Sequence, residues 1–373
     1  MILGKKVRLY PTEEHEKKLW KSVGTARFIY NWTLARQEDN YRNAGKFISD
    51  NDLRKEITLM KQTEEFAWLN NVSNNVAKQA VKDACEAFKR FFKGLSDKPR
   101  FKSRRKSKPS FYNDTSKLKV NKNQVLIEKV GWVRISEQIP MNVKYTNPRI
   151  SFDGKYWFLA VGIEKERPVV ELTTESIGID VGVKDLAICS NGMNFKNINK
   201  IKVVKQLEKK VCRLQRKVSR KYLKNKEGSK FVKTNNIIKI EEQIKLLHRK
   251  LANIRSNHIH QVTNKIVKTK PSRVVMETLN IKGMMKNKHL SKSIAKQCLY
   301  EFKRQMKYKC EFNGIEFIEA DKWYPSSKTC SNCGYVKAKL SLSERRYICE
   351  ECGCIIDRDY NASINLSRYE LVG

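Results

Sequence analysis

Hydrophobic positions along the chain recur with two alternating periods, and the changes of period mark its parts. From Lys6 to Tyr10 apolar and polar residues alternate as in a half-buried strand, and Pro11-Thr12 followed by Glu13 and Glu14 predicts a turn that caps a helix. Helical spacing then persists to about Phe92: Leu19, Val23, Phe28 and Ile29, then Leu53, Ile57 and Met60. A later helix over Ser73 to Phe92 collects Val76, Ala80, Ala84, Ala87, Phe88 and Phe91 on one side and Asn75, Lys78, Gln79, Lys82, Lys89 and Arg90 on the other. Between residues 117 and 166 the period drops to two. Short runs at Leu118 to Val120, Val125 to Ile127, Trp132 to Ile135, Arg149 to Phe152 and Tyr156 to Ile163 predict a small barrel, which the N-terminal strand completes. The helical block of roughly 12 to 105 is then an insertion into it.

A second sheet is predicted to begin at Ser176, with further strands at Leu186 to Cys189 and Met193 to Phe195. Val204, Leu207, Val211, Leu214 and Val218, and later Ile240, Ile244, Leu247, Leu251 and Ile254, repeat at alternating three and four residues. That is the pattern of two helices packed as a hairpin, with Gly228-Ser229 near the turn. A strand ending at Glu277, a helix around Ile294 to Tyr308 and a strand over Ile315 to Ala320 follow.

Three acids stand where this pattern places strand ends and a helix start. Ile177-Gly-Ile-Asp180-Val-Gly182 is a buried-strand signature running into an Asp, with Gly182 allowing a tight turn. Val274-Val-Met-Glu277 is a short β-branched run ending on a carboxylate. Asp357-Arg-Asp359-Tyr-Asn-Ala opens a helix, for which Asp359 and Asn361 are expected to supply capping groups. Two strand-end acids and one helical acid form the set with which a ribonuclease-H-like sheet holds two divalent ions over a scissile phosphate. Such ions, roughly 4 Å apart, activate water on one side and stabilise the leaving oxygen on the other. Hard oxygen ligands suit Mg²⁺. Taken singly, each acid is equally consistent with an ordinary surface carboxylate.

Charge narrows the partner. The 373 residues carry 77 Lys and Arg against 39 Asp and Glu, a formal net charge of +38. An excess this large implies a polyanion, with nucleic acid the default. A basic membrane-surface protein is the competitor, but no apolar run reaches the ~18 residues of a transmembrane helix, and the N-terminus lacks a signal-peptide core. The stretch Lys98 to Tyr112 interleaves Arg100, Lys102, Arg104 and Arg105 with Phe101, Phe111 and Tyr112, giving charge for phosphate and rings for stacking; a flexible linker is the alternative. On the 73–92 helix, Asn75 and Gln79 at four-residue spacing could reach base edges while Lys78 and Lys82 meet phosphates, unless that side is merely a solvated face.

Five of the ten cysteines, Cys85, Cys189, Cys212, Cys298 and Cys310, sit singly inside apolar or helical patterns and read as small buried thiols. The other five crowd into the last fifty residues, which points to metal in a reducing compartment. Cys330, Cys333, Cys349 and Cys352 form Cys-x2-Cys-x15-Cys-x2-Cys, a closed four-thiolate structural Zn²⁺ site, with Gly334 and Gly353 turning each knuckle and Cys354 a spare.

Arg27-Phe-Ile-Tyr30-Asn31, Pro99-Arg-Phe101, Gly178-Ile-Asp180-Val-Gly182, Glu277-Thr-Leu-Asn280, Pro325-Ser-Ser-Lys-Thr-Cys330-Ser-Asn-Cys333-Gly334 and Asp357-Arg-Asp359-Tyr-Asn361-Ala together resemble the TnpB (OrfB) family of insertion-sequence proteins. That family is similar to type V CRISPR effectors and to Fanzor proteins, and the resemblance spans essentially the whole chain. It implies a multidomain α+β fold. A wedge β-barrel would occupy 1–11 and 106–170, with a helical recognition insertion over 12–105. A RuvC-like α/β nuclease domain would occupy 171–324 and 355–373, with a zinc ribbon inserted over 325–354. Asp180, Glu277 and Asp359 match the family's catalytic acids, Asp357 taking a lesser role, and Ser363 stands where the family often has Ala.

The resemblance further implies RNA-guided cleavage of double-stranded DNA beside a short transposon-adjacent motif. The guide RNA would derive from the transposon end, two Mg²⁺ ions would serve catalysis, and no protein oligomer would be required. The expected setting is the cytoplasm of a prokaryote, at the nucleoid. Two alternatives stay open: a guided DNA-binding regulator that has lost cutting, which would have no reason to keep three acids, and a transposase of the same sheet fold acting without RNA.

Overall fold

The computed structural model describes every residue except Ala44, Leu342 and 371–373. Residues Met1–Glu166 and Arg167–Gly373 form two compact units.

In the first unit, β1 (Ile2–Tyr10) leads through the capping residue Thr12 into α1 (Glu13–Arg42), where Thr12 and His15 exchange side-chain and backbone hydrogen bonds. α2 (Asp50–Met60), a 3-10 turn over Glu64–Asn71 and α3 (Asn74–Phe92) follow, closing a helical core of Ile29, Leu34, Leu53, Ile57, Val81, Ala84 and Phe88. The chain then returns as β2 (Ser110–Tyr112), β3 (Lys119–Val120), β4 (Gln124–Ile127), β5 (Gly131–Ile135), β6 (Tyr145–Phe152) and β7 (Trp157–Glu164). These join β1 in one sheet of order β2-β6-β7-β1-β5-β4-β3. The N-terminal strand is therefore central, paired along its length with β7 from Ile2↔Glu164 to Leu9↔Trp157.

The expected closed barrel is a curled half-barrel. Among the described residues β2 and β3 do not pair with each other. They are only three and two residues long, too short to make a closing seam. Leu19 and Val23 of α1, with Val72 and Val76, pack instead into the same core as Phe111, Val125, Ile150 and Trp157.

The second unit carries a five-stranded sheet of order β10-β9-β8-β13-β14. β8 (Ser176–Val181), β9 (Asp185–Cys189) and β10 (Asn194–Lys196) form an antiparallel meander. Next come α4 (Lys202–Lys224), a short hairpin of β11 (Lys226–Glu227) and β12 (Lys230–Phe231), and α5 (Asn235–Val267). β13 (Arg273–Glu277) lies parallel to β8. After α6 (Ile281–Met284), α7 (Ser291–Gln297) and α8 (Leu299–Phe312), β14 (Glu316–Ala320) adds parallel to β13. β15 (Arg346–Ile348) and β16 (Ile355–Asp357) pair within the cysteine-rich segment, and α9 (Arg358–Ser367) ends the unit.

This is the strand order of a ribonuclease-H-like sheet. The predicted hairpin forms, with Val204, Leu207, Val211, Leu247, Leu251 and Ile254 in one contact cluster and Leu214, Val218, Ile237, Ile240 and Ile244 in the next. The single helix expected around Ile294 to Tyr308 is two helices, broken where Cys298 takes a left-handed backbone (φ 55°). No helix among the described residues is long and apolar enough to cross a membrane.

Candidate active site and metal centre

Strand alternation decides which side chains of β8 meet which layer. Ile177, Ile179 and Val181 point into a core with Ile259, Val262 and Ile266 of α5 and Phe302 and Met306 of α8. Gly178 and Asp180 therefore share the opposite face, which α9 covers. Gly178 is required there. A Cβ at this position would lie 2.0 Å from the Ser363 carbonyl oxygen and 2.3 Å from the Ser367 nitrogen, so only glycine lets the α9 backbone lie directly on β8. Asp359 is one helical turn before Ser363, about 6 Å along the helix. Asp180 is two residues past Gly178, a similar distance along the strand. The close approach of helix to strand is thus what brings these two acids to one end of the sheet.

Glu277 arrives by register. Met276 of β13 pairs with Ile179, so Glu277 is the residue beside Asp180 on the adjacent parallel strand, and on the other side it pairs with Ala320 of β14. Val275, on the same face of β13, packs with Leu366 of α9. All three acids are half-buried. Asp180's carboxyl is held well above the usual carboxylate range by burial, and then by the neighbouring negative charges of Glu277 and Asp359. Arg358 is the cation that opposes this shift.

The carboxylates do not close into a single cage. Asp359 is held by the Arg358 guanidinium at 3.0 and 3.2 Å, and Glu277 accepts a hydrogen bond from the Ser326 hydroxyl. Among the described residues, only the four cysteines bring their ligand atoms all within 4.8 Å of one another.

The start of α9 corrects one expectation. Asp357, and not Asp359 or Asn361, is the N-cap, accepting from the Asp359 and Tyr360 amides at 3.0 and 3.1 Å. Asp359 lies in the first turn, free of capping duty. Asn361 is fully buried, its side-chain oxygen accepting from the Ser331 amide at 2.9 Å and its NH2 donating to the Thr329 carbonyl at 2.7 Å. Asn365 donates to the carbonyls of Ser326 and Thr329, both at 2.7 Å. One face of α9 therefore fastens the segment that leads into the first cysteine knuckle. The chain's sequence pointed to Asn361 only as a capping group and to Ser326 and Asn365 not at all; the i, i+4 pair of asparagines in the helix was the available signal.

In that knuckle Cys330 and Cys352 sulfurs are 3.7 Å apart and those of Cys333 and Cys349 3.5 Å. A tetrahedron with 2.3 Å zinc–sulfur bonds has edges of about 3.8 Å, and with all four sulfurs within 4.8 Å of one another the donor set fits zinc. Gly334 and Gly353 both adopt positive φ, 81° and 69°, where they turn each knuckle. Cys352 is pushed down to about 6, foremost by the hydrogen bond from Asn332, while Cys333, against a backbone hydrogen bond with Tyr335, is pushed up to about 12 by burial and its neighbouring sulfurs. Cys354 stays outside the four-sulfur group, its carbonyl accepting from the Cys349 amide at 2.9 Å.

The proposed nucleic-acid contacts divide in the first unit. Arg100, Arg104, Arg105, Lys78 and Lys82 are exposed. Lys102 is not free: its ammonium lies 3.5 Å from the Tyr30 ring centre, its backbone exchanges hydrogen bonds with Asn31 at 2.7 and 2.8 Å, and burial lowers its pKa. Asn75 donates to Glu128 at 3.2 Å, and Gln79 donates at 2.8 Å to Asp83, which Arg149 grips through both guanidinium nitrogens at 2.9 Å. Gln79, Lys102 and Arg104 nevertheless line one groove of about 360 Å³ with Lys17, Lys21 and Arg27. In the second unit Lys205, Lys209, Arg213, Arg216 and Arg220 form a cationic stripe along α4.

Three family models match: a probable transposase model of the OrfB type over residues 158–288, a Cas12f1-like TNB domain over 300–366 and a helix-turn-helix domain over 1–46. The last label does not describe what those residues form, which is a strand and one long helix. A Streptomyces pristinaespiralis protein provisionally named an RNA-guided DNA endonuclease is 30% identical over 97% of this chain and 87% of its own. The Escherichia coli K12 protein InsQ, of the same provisional name, is 29% identical over 97% and 90%. Among solved structures, Cas12f1 in its complex with guide RNA and target DNA superposes with a TM-score of 0.61 over 98% of both chains at 15% identity, a likeness of fold. On the full-length relationship to its Streptomyces relative, the chain belongs to the TnpB (OrfB) family of insertion-sequence proteins.

Proposed function

We propose that this protein is an RNA-guided DNA endonuclease that hydrolyses phosphodiesters at Asp180, Glu277 and Asp359. The observation that carries the reading is geometric: register sets Glu277 beside Asp180 at the end of the β8–β13 pair, and the approach of α9 at Gly178 brings Asp359 to the same end, where burial first and these two charges second raise Asp180. Negative charge gathered without enough internal cation is poor for stability and suits a bound cation. The donors are all carboxylate oxygens, the set preferred by magnesium. Magnesium, when bound, supplies charge stabilisation of the attacked phosphate and an activated water. The chain's own residues do the rest. Asp180 and Glu277, fixed by the sheet, and Asp359, in the first turn of α9, would hold the metal, with Ser326 orienting Glu277 and Arg358 countering the charge of Asp359.

In this reading sequence choice comes from base pairing between guide and target, and the protein holds backbone charge. The groove around Gln79 and the exposed Lys78, Lys82, Arg100, Arg104 and Arg105 would meet duplex DNA beside the target, where a short adjacent motif is read. The α4 stripe would hold RNA or heteroduplex phosphates, so binding should weaken steeply with salt. The helical segment of the first unit would act as the recognition insertion and the cysteine ribbon as a target-strand module. The guide would be transcribed from the end of the element that encodes the protein.

The test is to purify the protein from cells, sequence the RNA that accompanies it, and offer DNA matched to that RNA's variable end. Magnesium-dependent cutting of matched DNA alone is expected. Cutting that ignores the RNA would favour a guide-free transposase, and tight binding without cutting a guided regulator.

A further inference from the structure

Of the chain's six tryptophans, Trp323 is 80% exposed, while none of the others exceeds 42%. It is not on a loose segment. Its amide donates to the Asp321 side chain at 2.7 Å, and the Asp321 amide in turn donates to the Tyr369 hydroxyl at 3.2 Å. On the other side, the Tyr324 hydroxyl donates to the Asn365 carbonyl at 3.0 Å, and its ring sits edge-on to Tyr369 at 4.9 Å. A loop anchored on both sides thus holds a large ring out in water.

Both ends of that loop touch Glu277. Ala320, just before it, pairs with Glu277 across the sheet, and its carbonyl accepts from Thr278 at 2.7 Å. Ser326, just after it, donates to the Glu277 carboxylate. Trp323 is three residues from either end and Ala320 is the strand neighbour of Glu277, so its backbone is within about 15 Å of the Glu277 backbone. At about 3.4 Å per stacked base, that is a span of at most roughly five nucleotides. The Lys322 ammonium lies 4.5 Å from the Trp323 ring centre, placing a phosphate-binding charge beside the ring.

We propose that Trp323 is a stacking platform for an unpaired base of the DNA strand whose phosphate enters the carboxylate site. A flat ring accepts any base by its face, so such a contact serves an enzyme that must hold strands of any sequence. It also requires the base to be unpaired, because a duplex hides its faces in its own stack. The inference rests on the nuclease reading above and adds to it a subsite that selects single-stranded over paired substrate.

The experiment uses the full protein with its copurified RNA and matched DNA carrying 2-aminopurine at successive positions around the cut, with magnesium withheld. Quenching is expected at one position within about five nucleotides of the cut. Trp323→Ala and Trp323→Leu should restore that fluorescence at least about twofold and raise the target concentration for half-maximal cutting about tenfold, equivalent to about 1.4 kcal/mol. Trp323→Phe should keep both near the parent values, and RNA content should be unchanged in all three. Identical fluorescence and half-saturation in parent and Trp323→Ala would overturn the proposal, as would a photocrosslink from this position to the RNA and not the DNA. If the parent complex does not cut matched DNA, the nuclease reading and this subsite fall together; if it cuts and the variants match it, only the subsite falls.

Discussion

The second unit contains two clusters of ligand-type side chains that differ in how finished they are. In the ribbon, four sulfurs already stand at the spacing of a zinc tetrahedron, because each Cys-x-x-Cys knuckle is shaped by local backbone hydrogen bonds and a positive-φ glycine. At the sheet end, three carboxylates are carried close by a strand register and a helix docked on Gly178, yet two of them are held by Ser326 and Arg358. The first is what a structural site needs, four donors and no opening. The second suits a site that must exchange ligands during a reaction. Local sequence builds the closed site; tertiary packing builds the open one.

The largest effect should come from the open site itself. Asp180→Ala or Glu277→Ala is expected to lower the cleavage rate by at least about 1,000-fold, equivalent to about 4 kcal/mol, with RNA content unchanged. A single-turnover assay on matched DNA checks this, and cutting retained in both variants would remove these acids from the chemistry. Next is Gly178→Ala, whose methyl would meet α9 backbone at 2.0 Å. Separating helix from strand should cost about 3 kcal/mol of stability and reduce cutting with it, both measurable on one preparation. Replacing Cys330 and Cys333 by Ser tests the closed site. Bound zinc should fall to background, and because Asn361 and Asn365 tie the knuckle segment to α9, cleavage should fall about 10-fold to 100-fold, the range seen when supporting contacts of a metal site are lost. Zinc content unchanged in that variant would refute the four-sulfur site.

Much of this was legible in the chain. Period-two runs gave the strands because each has one buried face, and the alternating three and four spacing gave the α4–α5 hairpin because its contact seam is narrow. The cysteine spacing gave the ribbon because a knuckle is a local object. What was not legible depends on neighbours far away in sequence. The sheet is open at β2 and β3, and side chains of α1 and α3 pack into its core; nothing in β2 or β3 alone says so. Asp359 was misread as a cap because Asp357 and Asp359 are equally good capping residues on paper. That Asn75 and Lys102 also have partners inside the chain was not legible either, because Glu128 and Asn31 lie 53 and 71 residues away. Gly178 was visible only as part of a motif, since its reason is the backbone of a helix some 185 residues later.

Ser326→Ala should act between the two clusters. Glu277 loses its donor, so the magnesium concentration for half-maximal cutting is expected to rise about tenfold while the saturated rate stays within about twofold, and Ser326→Thr should recover most of the difference.

The smallest effect concerns charge alone. Asp180 is raised by burial and by Glu277 and Asp359, so the folded metal-free protein holds a proton that the unfolded chain releases. Stability from this group therefore falls as pH rises from the ordinary carboxylate value toward the raised one. Asp180→Asn removes that cost. In chelator it should raise Tm by about 3 °C, the change that about 1 kcal/mol makes in a unit of this length, with a larger gain at pH 7 than at pH 5. Added magnesium should then stabilise the parent and leave the variant unmoved. A variant that gains nothing in chelator would mean that the three acids do not press on one another, and that the sheet end is a set of separate surface carboxylates.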